Sequence, residues 1–384
     1  MIEQLSISNV GPIANASVSF GDLTILVGPQ ASGKSIFLET LKLAADRGYI
    51  IDALNRYGYV IGRHSHNILN GFYGEGLSAI WRKGASVTLN GNKITRKSLS
   101  QATQQPQGET LYYIPAQRIL SIDDGRLRQF SEFSYATPFV LRRFSETLRV
   151  FIQHETGQNN VLFPPRYRLK GDSCKPLNES VFHDARVAME EQMGQKRMIL
   201  TIDGARLPFI TWSAGQKEFM PLLLAFYNLT TKSRLVKQEP YSTVVIEEPE
   251  MGLHPQAIVH TILLVCELLQ TYDYRVVIST HSPIFLEFAW AFNFLRHRRD
   301  KAHQAICEIF NVTPDSAIGQ MLKGLEQRNI NTYYFSRRKL DNRVTARDIS
   351  SLDAQDDDII ADWGGITSFA SRLGQIVAKY ATQQ

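Results

Sequence analysis

Polar and apolar residues alternate in two segments near the start of the chain, and a run of apolar residues follows them. Residues 2–7 and 14–20 alternate on either side of a Gly-Pro pair, which predicts two β-strands joined by a turn. Residues 23–27 form an apolar run that predicts a buried strand, and the pattern at 36–45 predicts a helix. The chain is therefore predicted to open with two paired strands, followed by a strand that leads into a helix.

The same two patterns predict further strands and helices along the chain. Asn90-Gly91 and Asp203-Gly204 each lie between alternating residues, which predicts two β-hairpins. The predicted strands cover residues 86–96, 111–115, 198–202, 205–210, 244–246, 276–279, 305–312 and 332–335. The predicted helices cover residues 214–229, 256–270, a segment between the last two strands, and a C-terminal amphipathic segment with Phe369, Leu373, Val377 and Tyr380.

Residues 121–196 differ in pattern from the segments on both sides. Thr137-Pro138 predicts the start of a helix. Its apolar face is predicted to consist of Val140, Phe144, Leu148 and Phe151. The polar residues at 158–178 predict a loop, and residues 184–193 predict a second helix. We therefore expect a mostly helical insertion at 121–196.

Composition excludes several classes of protein. The chain has 384 residues, of which 43% are hydrophobic, and this is enough for about two domains with buried cores. A net charge of +5 permits contact with nucleic acid without requiring it. Three widely separated cysteines provide neither a disulfide framework nor zinc-site spacing, which fits a reducing compartment. No apolar stretch is long enough to span a bilayer and no signal segment opens the chain, so we expect a cytoplasmic protein.

The most informative motif follows the predicted strand at 23–27. It consists of Gly28, Pro29, Gln30, Ala31, Ser32, Gly33, Lys34 and Ser35. This run fits the phosphate-binding P-loop, and the predicted strand and helix around it provide the context that the motif requires. Loop N–H groups and the helix N-terminus would face an anion. Lys34 is predicted to bind the β- and γ-phosphates of a nucleotide and Ser35 to bind Mg²⁺. The alternative is a glycine-rich turn before a helix.

Two later strands are predicted to end in groups that suit nucleotide hydrolysis. The strand at 244–246 leads into Glu247 and Glu248, which is typical of a Walker B motif. Glu247 would hold Mg²⁺, directly or through water, and Glu248 would polarise the attacking water as a general base. The strand at 276–279 leads to His281, whose imidazole can both donate and accept a hydrogen bond. Taken alone, these residues also fit an acidic turn and a structural histidine.

A third segment places Ser213 at the start of the helix predicted at 214–229, with Gly215 and Gln216 in its first turn. A serine there satisfies exposed backbone N–H groups, and such a helix end attracts anions. The residues leave two alternatives open, an ordinary helix cap and a second phosphate-binding end.

The order of these motifs resembles that of the ABC-type ATPases of the SMC, RecF and OLD (overcoming lysogenisation defect) group. Residues 213–216 stand where the family has its S-G-G-Q signature, and residues 251–255 match its D-loop. His281 matches the switch histidine, and Glu247 replaces the more frequent aspartate. Gln117 matches the glutamine of the Q-loop, which implies a role at Mg²⁺.

The resemblance implies a fold and a mechanism. The fold would be an α/β, ABC-type P-loop head with a mixed central sheet, flanking helices and an antiparallel β subdomain. Residues 1–120 and 197–300 would form this head, interrupted by the helical insertion, with an α/β extension at 301–384. ATP would lie between the P-loop of one copy and the signature of another, so that Ser213, Gly215 and Gln216 contact nucleotide in trans. Binding would close a homodimer or higher oligomer, and hydrolysis would open it.

The motifs predict an ATPase but not its biological role, and only the resemblance to particular relatives indicates that role. The segment between Lys34 and Ser213 is too short for the long coiled coil of SMC relatives, and the segment after His281 is short for the nuclease domain of OLD relatives. A compact ATPase without its own nuclease resembles the ATPase subunits of anti-phage systems, such as AriA of PARIS and PtuA of Septu. This implies a sensor and scaffold that controls a separately encoded nuclease effector, in a toxin–antitoxin-like manner, after a phage protein triggers it. No membrane partner is expected.

The alternative is a RecF-like ATPase that binds DNA during repair. Its basic surface would include the runs at 296–299 and 337–339, which equally fit solvated helix or loop ends. The predicted insertion offers a partner surface through four aromatic residues near its start, which also fit a local core. These residues are Phe130, Phe133, Tyr135 and Phe139.

Overall fold

The computed structural model describes residues 2–62, 64–99, 108–155, 160–165, 177–192, 194–231, 241–296 and 299–351. The strands are β1 (Gln4–Val10), β2 (Ile13–Ser19), β3 (Leu23–Val27), β4 (Trp81–Leu89), β5 (Asn92–Ile94), β6 (Leu111–Ile114), β7 (Ile122–Asp123), β8 (Arg126–Leu127), β9 (Val161–Phe163), β10 (Arg186–Gln192), β11 (Gln195–Ile202), β12 (Ala205–Pro208), β13 (Thr243–Glu247), β14 (Arg275–Thr280), β15 (Ile330–Arg337) and β16 (Val344–Asp348). The helices are α1 (Lys34–Arg56), α2 (Ser65–Tyr73), α3 (Arg96–Leu99), α4 (Phe139–Glu155), α5 (Ala214–Thr230), α6 (Pro255–Gln270), α7 (Pro283–Leu295), α8 (Arg299–Ile309) and α9 (Ala317–Leu322).

A ten-stranded mixed sheet runs through the described part of the chain. Its strand order is β5-β4-β1-β2-β16-β15-β3-β14-β13-β6. From β15 to β6 each strand is parallel to the next. Strand β16 is antiparallel to β15 and parallel to β2, and β1, β2, β4 and β5 pair antiparallel at the other end. A second sheet is antiparallel, in the order β12-β11-β10-β9. This architecture confirms the expected α/β class, with a mixed central sheet and an antiparallel β part.

The parallel strands are buried because helices cover both of their faces. Every residue of β3 is buried, and successive side chains enter opposite cores. Ile25 and Val27 pack into a core shared with α5 and α6, whereas Leu26 packs into a core shared with α1. A strand covered on both faces reads as a continuous apolar run, and this is why sequence identified β3, β13 and β14.

Several predicted elements are confirmed by the structure. The turn between β4 and β5 has left-handed backbone at Asn90 (φ 48°) and Gly91 (φ 79°), as a two-residue hairpin requires. The β11–β12 hairpin turns at Asp203-Gly204 in the same way. Helix α4 begins directly after Pro138, and its four predicted apolar residues are all buried.

Two predicted elements are wrong. Residues 186–192 form strand β10 instead of the helix expected at 184–193, because they pair along their whole length with β11. Val187 and Met189 enter the core at a spacing of two, which a short apolar segment can satisfy as well as helical spacing. Residues 305–309 belong to helix α8 instead of a strand, since Ala302 and Ile306 are both buried one turn apart.

The block at 121–196 is therefore less helical in its described part than expected. It contains helix α4 and strands β7 to β10. Strand β9 lies inside the loop expected at 158–178, whose residues 158–159 and 166–176 are outside the described part. The C-terminal helix expected around Phe369 also lies outside the described residues, and β16 is a strand that the sequence pattern did not indicate.

No helix in the described ranges combines the length and the apolar character that crossing a membrane requires.

A buried ionic network joins the P-loop helix to α4. The Lys42 ammonium on α1 lies 2.7 Å from Asp46 and 2.5 Å from Glu109. The Arg143 guanidinium on α4 binds the other oxygen of Glu109 at 2.8 Å. Burial alone would raise the pKa of Glu109, but the charges and hydrogen bonds of Arg143 and Lys42 outweigh it and hold this pKa at about 2. Glu109 is therefore an ionised hub between two helices.

Replacing this hub with a neutral residue should destabilise the fold. In Glu109→Gln the buried Lys42 and the partly buried Arg143 lose their shared anion, which is expected to lower the free energy of unfolding by about 3–5 kcal/mol. Urea unfolding followed by circular dichroism measures the change, with exposed Glu3→Gln as the matched control. Equal stability of Glu109→Gln and the control would contradict this account.

The same network predicts a loss of stability in acid. The pKa of Glu109 in the folded protein lies below its ordinary value of 4.5. Its contribution to stability is therefore complete above about pH 4.5 and is lost as the pH falls toward about 2. Unfolding curves at descending pH should show a steeper loss of stability for the wild type than for Glu109→Gln. Parallel curves over this range would show that Glu109 is not ionised in the folded protein.

Candidate active site

The motifs of interest meet at one edge of the central sheet. Strands β15, β3, β14, β13 and β6 are parallel, so their carboxyl ends lie along this edge in that order. The P-loop follows β3, His281 follows β14, Glu247 ends β13 with Glu248 directly after it, and Gln117 follows β6. In open α/β sheets, ligands bind at such an edge.

The P-loop is fixed by a close approach to its neighbour strand. Gly28 has φ 145°, and a Cβ placed on it would lie 2.2 Å from the backbone oxygen of Phe335 in β15. Gly33 has φ 80° and packs against Pro12. Only glycine suits these two positions, which explains the glycine spacing of the motif.

The Lys34 side chain turns back onto its own loop. Its ammonium donates to the carbonyl oxygens of Gly28 (2.7 Å) and Pro29 (3.1 Å) and to the Ser32 hydroxyl (3.3 Å). Burial lowers the pKa of Lys34 to about 8, and the nearby Glu248, Glu250 and Glu247 carboxylates oppose this shift. The loop therefore holds a partly desolvated cation at its centre.

A cleft of about 330 Å³ opens over the P-loop. Ten of the described residues line it, of which seven were predicted from the sequence as nucleotide-binding or catalytic residues and three were not. The predicted ones are Ala31, Ser32, Gly33, Lys34, Ser35, Glu248 and His281, and the others are Pro12, Ile36 and Arg337. The structure thus brings the P-loop, the second acidic residue and the histidine to one cavity.

Glu247, the last residue of β13, does not line this cleft itself but interacts with Ser35, which does. Its carboxylate is buried, accepts from the Ala116 N–H at 3.3 Å, and lies close enough to the Ser35 hydroxyl for a hydrogen bond. Burial raises the pKa of Glu247, which Ser35 partly opposes. One buried oxygen of Glu247 has no hydrogen-bond partner. A hydroxyl beside a carboxylate with an unused oxygen is a suitable donor set for Mg²⁺.

The described residues contain no cluster of three or more His, Cys, Asp or Glu side chains that would hold a metal by itself. A magnesium ion at Ser35 and Glu247 would therefore need oxygens from a bound ligand, as Mg²⁺ sites with substrate phosphates do. Glu39 lies one turn along α1, and burial together with the Glu247 charge raises its pKa well above the ordinary value. Glu39 is therefore kept neutral near Glu247 and adds no negative charge for a cation.

Glu248 and His281 form a pair at the side of the cleft. The Glu248 carboxylate lies 2.9 Å from His281 Nε2, and this hydrogen bond is the main cause that lowers the pKa of Glu248. Glu248 has a left-handed backbone (φ 43°), which is uncommon for a residue with a side chain and often marks a functional site. An ionised carboxylate oriented by an imidazole is an arrangement suited to accepting a proton.

A third carboxylate of this segment orients His281. One oxygen of Glu250 accepts from the Thr280 hydroxyl (2.7 Å), the His281 N–H (2.7 Å) and the Ser282 N–H (3.2 Å). These three donors span the turn between β14 and α7. Glu250 therefore fixes the backbone from which the imidazole extends.

Arg118 connects the backbone of Glu247 and Glu248 to helix α5. Its guanidinium is fully buried and donates to the carbonyl oxygens of Glu247 (3.1 Å), Glu248 (3.2 Å) and Glu218 (3.1 Å). Burial lowers the pKa of Arg118, while four nearby glutamate charges favour its charged form. The residue next to it, Gln117, is exposed and does not line the cleft. Its role at Mg²⁺ stays a prediction.

The signature segment lies at the start of α5. Ser213 caps the helix through its hydroxyl, which accepts from the Gln216 N–H at 3.2 Å, and the Gln216 side chain accepts from the Ser213 N–H at 3.1 Å. A Cβ on Gly215 would lie 2.9 Å from the Gly252 oxygen, so α5 packs closely on the D-loop segment. Ser213 is exposed and is not among the described residues that line the P-loop cleft of its own chain.

Sequence reasoning missed three residues at this edge. Glu250 was visible in the acidic motif, but its function depends on the neighbouring turn after β14. Arg118 lies in the turn after β6 and Arg337 ends β15, and only the strand order brings them to the site. Of the predicted P-loop residues, Gln30 is exposed and Gly28 and Pro29 contribute carbonyl oxygens to Lys34.

Comparison with known proteins agrees with this site. Residues 195–287 match the family described as "AAA domain, putative AbiEii toxin, Type IV TA system". A stretch of 49 residues is 49% identical to the OLD nuclease of Thermus scotoductus and covers 13% of this chain and 9% of that protein. This chain therefore matches only a small part of that relative.

Two solved structures are similar at low sequence identity. The SMC head domain from Thermotoga maritima has 13% identity and a TM-score of 0.38, with 91% of this chain and 98% of that chain covered. A dimeric bacterial ABC transporter cassette has 13% identity and a TM-score of 0.32, with 72% and 88% covered.

The P-loop after a central parallel strand, with an acidic strand end and a histidine beside it, defines a P-loop nucleotide-binding site. The family match covers the signature, acidic and histidine segments, and with the partial OLD match it supports the similarity to ABC-type AAA ATPases of the SMC/RecF/OLD group. The resemblance inferred from the motif order is confirmed at this level.

Removing the Glu250 carboxylate should loosen the turn that carries His281. Glu250→Ala removes the acceptor of the Thr280 hydroxyl and of the His281 N–H, whereas the Ser282 N–H keeps the Thr280 hydroxyl oxygen at 2.9 Å. Hydrogen bonds to a charged group each contribute about 1.5–3 kcal/mol. Hydrogen exchange of the peptide that contains Thr280 to Ser282 should become at least about tenfold faster. Exposed Glu287→Ala on the following helix is the control. Unchanged exchange in Glu250→Ala would show that this carboxylate does not hold the turn.

Proposed function

We propose that the chain binds ATP with Mg²⁺ in this cleft and hydrolyses it to ADP and phosphate. The observation that carries the proposal is the Glu248–His281 pair, 2.9 Å apart, at the same cavity as the P-loop Lys34. A phosphate-binding loop alone supports nucleotide binding, whereas a positioned base next to it supports hydrolysis.

Some of these residues would bind the nucleotide and its metal ion, and others would act in proton transfer. Lys34 exchanges its contacts with its own loop for the terminal phosphates, and the loop N–H groups bind the phosphates nearer the nucleoside. Ser35 and Glu247 would hold Mg²⁺, which neutralises phosphate charge when bound. Glu248 accepts a proton from the attacking water, and His281 holds the Glu248 carboxylate in place through Nε2. The lowered pKa of Glu248 keeps this base ionised near neutral pH.

We propose that two copies complete each site. Ser213 and the neighbouring Gly215 lie at an exposed helix N-terminus that does not line the cleft of the same chain. A helix N-terminus with a serine cap is suited to phosphate. In a closed dimer, Ser213, Gly215 and Gln216 of one copy would contact the nucleotide held by the P-loop of the other. Arg118 and the Gly215–Gly252 contact would link this helix to Glu248 within each copy.

For the biological role, we propose an ATP-dependent sensor and scaffold of an anti-phage system that controls a separately encoded nuclease. Its support is the family description, which refers to a toxin of a toxin–antitoxin system, and the partial identity with an OLD nuclease. Co-purification with the product of a neighbouring nuclease gene tests this role. No specific observation favours a RecF-like function, because Arg337 lines the nucleotide cleft and Arg338 pairs with Asp341.

Removing the proposed base should separate binding from hydrolysis. Glu248→Gln keeps the size of the side chain but cannot accept the proton, so the hydrolysis rate should fall by about 10²- to 10⁴-fold. The variant should accumulate as an ATP-dependent oligomer in size-exclusion chromatography, and Lys34→Ala should form none. Glu287→Gln serves as the control, and hydrolysis by Glu248→Gln at the wild-type rate would contradict the assignment.

The Lys34 pKa predicts how nucleotide affinity depends on pH. Because a bound polyphosphate favours the ammonium, the Lys34 pKa rises on binding from its free value of about 8. The affinity for Mg-ADP should thus be constant below about pH 8 and fall above it, by up to about tenfold per pH unit. Titration calorimetry measures this, and Lys34→Met should bind weakly without the dependence. A flat wild-type profile above about pH 8 would be incompatible with Lys34 as the phosphate ligand.

A further inference from the structure

Arg337 lies at the nucleotide cleft although it comes from the far end of the chain. It is the last residue of β15, which is parallel to β3 and adjacent to it. Phe335, two residues earlier, makes the close backbone approach to Gly28 described above. The chain therefore brings a cation from β15 to the beginning of the P-loop.

The Arg337 guanidinium is anchored on the P-loop itself. It donates to the backbone oxygen of Ala31, a P-loop residue with left-handed backbone (φ 57°), and to the oxygen of Asn342 at 2.8 Å. An arginine side chain carries five N–H donors, so these two bonds leave others for a ligand. The side chain is exposed and lines the cleft.

The strand order places Arg337 on the side of the P-loop away from the proposed base. Strand β3 lies between β15, which ends in Arg337, and β14, which leads to His281. Glu248 follows β13, one strand further away. If hydrolysis of the terminal phosphate takes place beside Glu248 and His281, the opposite side of the P-loop faces the nucleoside end of the nucleotide.

Arg337 and Lys34 are the arginine and lysine side chains among the described residues that line the cleft. Arginine suits phosphate because its planar fork donates two parallel hydrogen bonds. Lys34 is held at the centre of the loop by three of its acceptors.

We propose that Arg337 binds the phosphate next to the nucleoside, so that the β15–β16 pair is part of the nucleotide site. This inference rests on the proposed function, because it assumes that the cleft takes a nucleotide. It assigns to Arg337 a contact that ATP and ADP share, in contrast to Glu248 and His281, which act at the end that only ATP carries.

Nucleotide titrations of Arg337 variants test the proposal. Arg337→Ala should weaken the binding of Mg-ATP and Mg-ADP by the same factor, about 10- to 100-fold, because one charge-assisted contact to a shared phosphate is lost. Arg337→Lys should recover part of the affinity, since it keeps the charge. Arg338→Ala is the matched control, because Arg338 is the next residue and pairs with Asp341.

Arg337→Gln separates ligand binding from bracing of the loop. Glutamine can still donate to the Ala31 oxygen but carries no charge, so it should bind both nucleotides as weakly as Arg337→Ala. Wild-type affinity in Arg337→Gln would show that the side chain only braces the P-loop and would overturn the proposal. A loss confined to Mg-ATP would also overturn it, because the contact would then be at the terminal phosphate. If the wild type binds neither nucleotide, the proposed function fails instead.

Discussion

The parallel pairing of β15, β3, β14, β13 and β6 is the constraint on which the site depends. The register pairs Val27 with Thr280, and Ile246 with Ile278, so the loops after these strands start at one level of the sheet. Because neighbouring side chains in a strand face opposite cores, a shift by one residue would exchange the side chains that enter the two cores and disrupt the packing of both. Burial on two faces thus fixes the register, and the register fixes the distance between the P-loop and the residues that follow β13 and β14.

Two buried polar side chains fix the backbone segments that carry the functional residues at this edge. Arg118 holds the backbone of the acidic segment against α5, and Glu250 holds the turn that carries His281. Both groups act on backbone atoms, so they position functional side chains without touching a ligand in the cleft. A movement of α5 would reach Glu248 through Arg118, and a movement of the β14–α7 turn would reach it through His281. This provides a physical route by which a second copy at α5 would affect hydrolysis.

Local patterns in the sequence were sufficient where one element determines its own conformation. Strand β3 has apolar residues on both faces, and the P-loop glycines have backbone angles that only glycine adopts readily, so both were predictable. Strand β10 was not, because its apolar residues fit two periods and pairing with β11 decides between them. Arg118, Glu250 and Arg337 were not recognised because their partners lie on segments far away in the sequence, and the fold brings them together.

The central claim is that nucleotide is enclosed by the P-loop edge of one copy and the α5 end of another. A cryo-EM structure of Glu248→Gln with Mg-ATP tests it most directly. The account predicts ATP on the loop that contains Lys34, with Ser213 of a second copy in contact with its terminal phosphate. ATP enclosed by a single chain, with Ser213 distant from the nucleotide in every copy, would contradict it.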